Sequence, residues 1–227
     1  MIHLLWPTIR PTTFKRIHSE WMRKCDYPPQ VITKVAVNTE EDAAELDDYN
    51  VMIVAPKHVG VVYPAYKLTS TLEADDNDII VLASDDFHPP KGWDSYIADQ
   101  FEDFDGCLFV RDGYQTPDPK DWPGTPAITI PIMTYSCLKK LNLAIYHPAY
   151  RHMASDVELY LNVKELGMLK DNRIKDKVTF EHHHYVTEKR EMDHWDEKYE
   201  AHHSADRDLF EKRKEMSLER RLEIITK

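Results

Sequence analysis

Four short apolar runs divide the first 90 residues, and segments with helical spacing fill the gaps between them. Ile2–Trp6, "QVITKVAVN", Val51–Ala55 and "NDIIVLASDD" have the length and aliphatic content of strands. Between them lie "PTTFKRIHSEWMRKC", "TEEDAAEL" and residues 64–74. In the first of these, Phe14, Ile17, Trp21 and Met22 recur at helical spacing, and Thr12 or Thr13 offers an N-cap. The second opens with acidic residues, where the helix dipole favours them. Strands that alternate with helices pair in parallel through crossovers. The expectation is therefore an α/β fold, with a mostly parallel sheet flanked by helices. Ligands of such sheets sit beyond the carboxyl ends of the strands. Asp85 and Asp86 stand at one such end.

The second half is less regular. "SYIADQFEDF" reads as helix, "GCLFVRD" as strand, "AITIPIMTY" as strand and "SCLKKLN" as a short helix, with the proline-dense loop "GYQTPDPKDWPGTP" placed to line a cleft. "SDVELYLNVKELG" predicts a helix with a Ser155–Glu158 capping box and Gly167 as its stop. "RIKDKVTF" predicts a last strand running into "EHHHY", and the chain from about Thr187 onward is charged and helical in pattern.

Length and composition narrow the function classes. At 227 residues the chain can bury one substantial core. A net charge of -11 works against general adhesion to nucleic acid or anionic lipid. No apolar run approaches the roughly 20 residues that cross a bilayer, and "MIHLLWPTIRP" is too short in apolar length for a signal peptide. Cys25, Cys107 and Cys137 form no CxxC pair, which leaves neither a disulfide framework nor a thiolate zinc site. The expected setting is cytoplasmic, without membrane contact.

Three clusters carry the chemistry. Asp85 and Asp86 read either as a solvated turn or as a hard-cation site, in which one carboxylate holds Mn²⁺ or Mg²⁺ and the other bonds a sugar or ribose hydroxyl. In "FEHHHYV", strand alternation puts His182 and His184 on one face and His183 on the other; either one of the pair is a metal ligand or the group is a solvated strand end. Asp156 opens a helix, where the dipole favours its ionised form, and it is either a proton acceptor or a capping residue. Pro7, Thr8 and Arg10 lie just past the first strand, where backbone groups and a guanidinium can meet base or phosphate, and Lys67 is a second phosphate candidate. Trp93, Tyr114 and Trp122 offer flat faces to an acceptor.

Taken in order, "WPTIRP", "LASDDFHPPKGWD", "ASDVELYLNVKELG" and "FEHHHY" resemble a GT-A fold glycosyltransferase of the family 2 type, and the trailing "MDHWDEKYEAHHSADRDLFEKR" resembles the tail of short, stand-alone phage and bacterial members. Two positions depart from the usual pattern: Ser84 stands where many members carry a first aspartate, and Ser155 where many carry glutamate. The resemblance implies a GT-A catalytic domain over 1–186, with 1–94 as its nucleotide-sugar half and 95–186 as its acceptor and catalytic half, followed by a charged helical extension over 187–227. It implies a nucleotide-diphosphate sugar donor, UDP-linked foremost, with base and ribose near Pro7, Thr8, Arg10 and Asp85. Asp86 with His184 or His182 would hold Mn²⁺ or Mg²⁺, and Asp156 would be the general base of an inverting transfer. The acceptor would be a saccharide or a modified nucleic acid base, a hydroxymethylated pyrimidine of phage DNA among the candidates. A nucleotidyltransferase is the alternative enzyme class, but "IHLLWPTIRPTTFKR" lacks the Gly-rich signature it would need. A non-catalytic nucleotide-sugar or carbohydrate-binding module is the other alternative, and it would have no need of a base.

Overall fold

The computed structural model describes residues 1–54, 60–115, 124–185, 189–192, 197 and 203–224. Strand β1 (Ile2–Pro7) is the first of four parallel strands, followed by α1 (Pro11–Arg23), β2 (Val31–Val37), α2 (Glu40–Ala44), β3 (Asn50–Ile53), α3 (Val62–Ser70) and β4 (Ile79–Leu82). Then come β5 (Phe87–His88), α4 (Trp93–Phe101), β6 (Cys107–Phe109), β7 (Ile132–Thr134), α5 (Tyr135–Lys140), α6 (Ser155–Glu165), β8 (Leu169–Asp171) and β9 (Glu181–His182). Helices α7 (His203–Arg213) and α8 (Leu218–Leu222) follow.

Seven strands form one sheet in the order β3-β2-β1-β4-β7-β6-β8. Its pairings are parallel except where β7 runs antiparallel between β4 and β6. β1 is central and wholly buried, and its side chains alternate: Leu5 packs with α3 and α5 on one face, Leu4 and Trp6 with α1 and α4 on the other. β5 and β9 form a separate two-stranded ribbon at the end of β4, with Phe87 opposite His182. That ribbon brings "DDFH" and "EHHH" together.

Local departures from the sequence reading have identifiable causes. α1 begins at Pro11 with no side-chain cap, because proline at the first helical position presets φ and leaves one fewer orphan N–H; Thr12 and Thr13 lie inside the helix. α6 has no capping box. Ala154 is the N-cap in a left-handed conformation (φ 63°), Ser155 is already helical, and Glu158 turns away to a buried pair with Arg213. Gly167 (φ 69°) does end the helix, and the chain reverses at once into β8, a strand absent from the sequence reading. "RIKDKVTF" is mostly turn: Arg173 folds back onto Asp171 and stacks on Phe109 at 3.9 Å, while the Asn172 amide reaches Gln100 and Asp176. Its only strand-like pairing among the described residues is the Thr179–Arg111 bridge.

The C-terminal helices each pack one face against the domain through buried polar residues. Arg213 meets both Glu158 oxygens at 2.8 Å and donates to the Arg221 carbonyl at 2.6 Å. Arg221 in turn donates to Asn162 Oδ1 at 2.8 Å. All four side chains are buried.

Candidate active site

A cavity of about 520 Å³ opens beyond the carboxyl ends of β1 and β4, where a parallel sheet exposes its ligand-binding edge. Pro7, Thr8 and Arg10 line it from the β1 side, and Ser84, Asp85 and Asp86 from β4. Val61, the N-cap of α3, and Pro64 in its first turn form another wall; Lys67, one turn further along, does not line the cavity. The start of α6 brings Asp156, and the ribbon brings His182 and His184. Residues almost 180 positions apart thus share one space.

The adjacent aspartates are held differently. Asp85 Oδ1 accepts from Trp6 Nε1 at 2.8 Å, and Oδ2 from Thr8 Oγ1 at 2.7 Å. Thr8 is itself fixed by its N–H on the Ala36 carbonyl and by accepting the Arg10 N–H at 2.9 Å. Burial pushes the Asp85 carboxyl up to about 6, against the pull of those two donors. Asp86 goes the other way. Burial alone would raise it, but the bond from His182 Nε2 (3.2 Å) and the Ser84 hydroxyl hold it well below the usual carboxylate range. Two neighbouring carboxylates whose titrations are pushed apart are suited to different tasks. Ser84, which replaces an acidic residue of the resembled pattern, orients Asp86.

His182 is wedged between Asp86 and Phe87, whose ring it stacks on at 4.3 Å and 14°. Its Nδ1 is buried with no hydrogen-bond partner among the described residues. His184 stands 5.1 Å from the His182 ring, while His183 lies against His88 on the opposite side, as strand alternation requires. Among the described residues no set of three or more His, Cys, Asp or Glu side chains is arranged to hold a metal by itself. The donor types nevertheless fit a partial site: an ionised carboxylate and two imidazoles that line one cavity. Such a set leaves room for phosphate and water oxygens.

Asp156 faces the same cavity from the first turn of α6. Its Oδ1 accepts the Val157 N–H at 2.9 Å, and its carbonyl accepts from Ile128 at 3.2 Å. The helix terminus was expected to favour its ionised form; burial outweighs that and raises its pKa. A carboxylate raised toward neutrality is a stronger proton acceptor.

The acceptor candidates divide. Tyr114 lines the cavity, 38% exposed, with its backbone fixed on Asp112. Trp93 cannot stack on any ligand: it is fully buried, 4.9 Å from Trp21, and its indole donates to the Trp21 carbonyl. Its apolar spacing in α4 serves the core. Trp122 lies outside the described residues. Sequence reasoning missed Tyr146, His152, Met153, Tyr185, Arg190 and His203, all of which line the cavity. His152 alone had a local signal, four positions before Asp156.

No protein-family model matches the chain, and no curated protein matches it by sequence. Solved structures do match in fold. S. aureus TarS 1-349 in complex with UDP-GlcNAc superposes with a TM-score of 0.58 at 12% identity, over 75% of this chain and 55% of that one. The mannosyltransferase PcManGT from Pyrobaculum calidifontis, in complex with GDP-Man and Mn²⁺, gives 0.55 at 12% identity, over 76% and 54%. Glucosyl-3-phosphoglycerate synthase from Mycobacterium tuberculosis, in complex with Mn²⁺, UDP and phosphoglyceric acid, gives 0.51 at 11%, over 75% and 67%. The match spans a little over half the length of the TarS 1-349 structures. The chain has the GT-A fold.

Proposed function

We propose that this chain is a metal-dependent glycosyltransferase that moves a sugar from a nucleotide-diphosphate sugar, foremost a UDP-sugar, to an acceptor hydroxyl with inversion. The carrying observation is that the oppositely tuned Asp85–Asp86 pair, two histidines and Asp156 face one cavity at the ligand-binding edge of a GT-A sheet.

The residues divide the work. Asp85, fixed by Trp6 and Thr8, keeps lone pairs for a ribose or sugar hydroxyl. Pro7, Thr8 and Arg10 receive base and ribose. Asp86 with His182 and His184 would hold Mn²⁺ or Mg²⁺, which supplies positive charge against the diphosphate as it leaves. Asp156 takes the acceptor's hydroxyl proton. As that oxygen bonds to the anomeric carbon, the bond from this carbon to the phosphate oxygen breaks, and the electron pair leaves with the nucleoside diphosphate. Tyr114, Tyr185 and Met153, which also line the cavity, would suit a saccharide ring or a flat base as acceptor.

Release of free nucleoside diphosphate from a panel of nucleotide sugars tests the reading. Turnover is expected with Mn²⁺, to be lost with chelator and in Asp86→Ala. Absence of metal-dependent release from every donor sinks it.

A further inference from the structure

Helix α7 turns one face toward the cavity. His203 and Asp206 are three positions apart and so share that face. His203 lines the cavity, and its ring lies parallel to that of His152, 6.0 Å between centroids and 5° between planes. Asp206 is 2% exposed, and its carboxylate accepts from three successive backbone N–H groups: Arg151 at 3.1 Å, His152 at 2.7 Å and Met153 at 2.8 Å.

Those three residues belong to no helix or strand, so no ladder satisfies their N–H groups. The next residue is the left-handed Ala154, and Asp156 follows two positions later. From the other side the same stretch abuts Gly60, where a Cβ would lie 2.0 Å from the Arg151 carbonyl oxygen. Residues 151–153 are gripped between Gly60 and Asp206.

We propose that Asp206 is a positioning residue: through residues 151–153 it sets where Asp156 and the wall formed by His152 and Met153 stand relative to Asp85 and Asp86. The inference rests on reading Asp156 as the base. Removing the carboxylate would leave three poorly solvated N–H groups without their acceptor unless the loop moves to satisfy them. Movement of about 1 Å at a reacting group lowers rates by up to roughly a hundredfold.

The test compares Asp206→Asn and Asp206→Ala with Arg221→Ala, which loses tail packing on α6 without touching residues 151–153. Nucleoside diphosphate release is measured from UDP-glucose, UDP-N-acetylglucosamine and GDP-mannose with Mn²⁺, below the Tm of every variant. The Asp206 variants are expected to lose about tenfold or more in kcat with donor KM nearly unchanged, whereas Arg221→Ala loses Tm but keeps kcat. In parallel, carbon NMR titration of the Asp156 carboxyl should show its raised pKa falling in Asp206→Asn, as water enters a loosened wall. Asp206→Asn keeps an acceptor oxygen, so a folded variant is available if the alanine variant does not fold. If the wild type turns over no donor, the glycosyltransferase reading fails, and the Asp156 titration alone then judges Asp206. An unmoved titration overturns the positioning role. So does an unchanged kcat in the Asp206 variants of an active enzyme, or an equal loss in Arg221→Ala.

Discussion

The β1–β4 edge of the cavity and its α6 wall both present carboxylates, yet they are built by different means. At the edge, Asp85 and Asp86 leave the end of a buried strand; Trp6 and Thr8 of the neighbouring strand end hold Asp85, while Ser84 and, from the ribbon, His182 hold Asp86. At the wall, Asp156 follows a loop with no regular structure, held by Asp206 from a helix about fifty residues later. Asp85 is fixed by residues of the sheet's own strand ends. The loop before Asp156 depends on a buried carboxylate that a C-terminal helix delivers, so the two should respond separately to mutation and pH.

The largest separation is expected in Asp156→Asn. Losing a general base should cut transfer by about 10²–10⁴-fold while donor affinity, set by the edge, stays as it was. Steady-state rates and donor calorimetry read the two quantities, and a parallel loss of affinity would show that the wall and edge are one unit.

Next in size is Arg213→Met. It strands Glu158, 2% exposed, whose other partner is the Tyr150 hydroxyl, and should cost about 3–5 kcal/mol in denaturant unfolding. Glu158 sits in α6, so partial denaturation should loosen the Asp156 side first. Amide exchange in α6 should rise before exchange in β1 and β4 does.

The pH response separates the carboxylates further. Asp85 has a folded pKa raised to about 6, so the folded chain binds its proton more tightly than the unfolded one. Its ionised form costs stability above that pH, and the cost fades as pH falls toward the ordinary carboxylate range. Asp86 has the opposite sign: its stabilising contribution is present above the ordinary carboxylate pKa and is lost as pH falls below it. Donor KM should therefore rise as pH drops below about 6, through Asp85, and the Asp85→Asn variant should lose that dependence. The acid limb of kcat belongs to Asp156 and should vanish in Asp156→Asn, independently of KM.

The smallest effect is expected from Thr8→Val. One of the two donors to Asp85 disappears, at about 1 kcal/mol in stability, with a further rise in the Asp85 pKa visible by carboxyl NMR. Transfer measured with saturating donor should barely change.

The edge was legible in the sequence because its signals are local. An apolar run ending in "DD" is a strand terminus, and alternation sorted His182 and His184 from His183. The position of Asp156 was legible too, since a glycine-stopped amphipathic segment begins there. What holds the loop before Asp156, and what packs the tail on α6, was not. Asp206, Arg213 and Arg221 sit in a charge-rich stretch with the pattern of a solvated helix, and only tertiary contact reveals that all three are buried. Glu158 had the right spacing for a capping box, but a buried guanidinium outcompetes a frayed helix N-terminus. Trp93 looked available because an aromatic residue after a Pro-Pro-Lys-Gly turn carries no mark of which way it will face.

The grip of Asp206 on residues 151–153 also sets an order of assembly on the ribosome. By the time residue 86 has emerged, the nascent chain already holds Trp6, Thr8, Ser84 and both edge aspartates. Asp156 emerges with its loop unfastened, and it stays so until fifty more residues have been translated. A chain released early would carry Asp85 with both its donors but Asp156 on an unfastened loop.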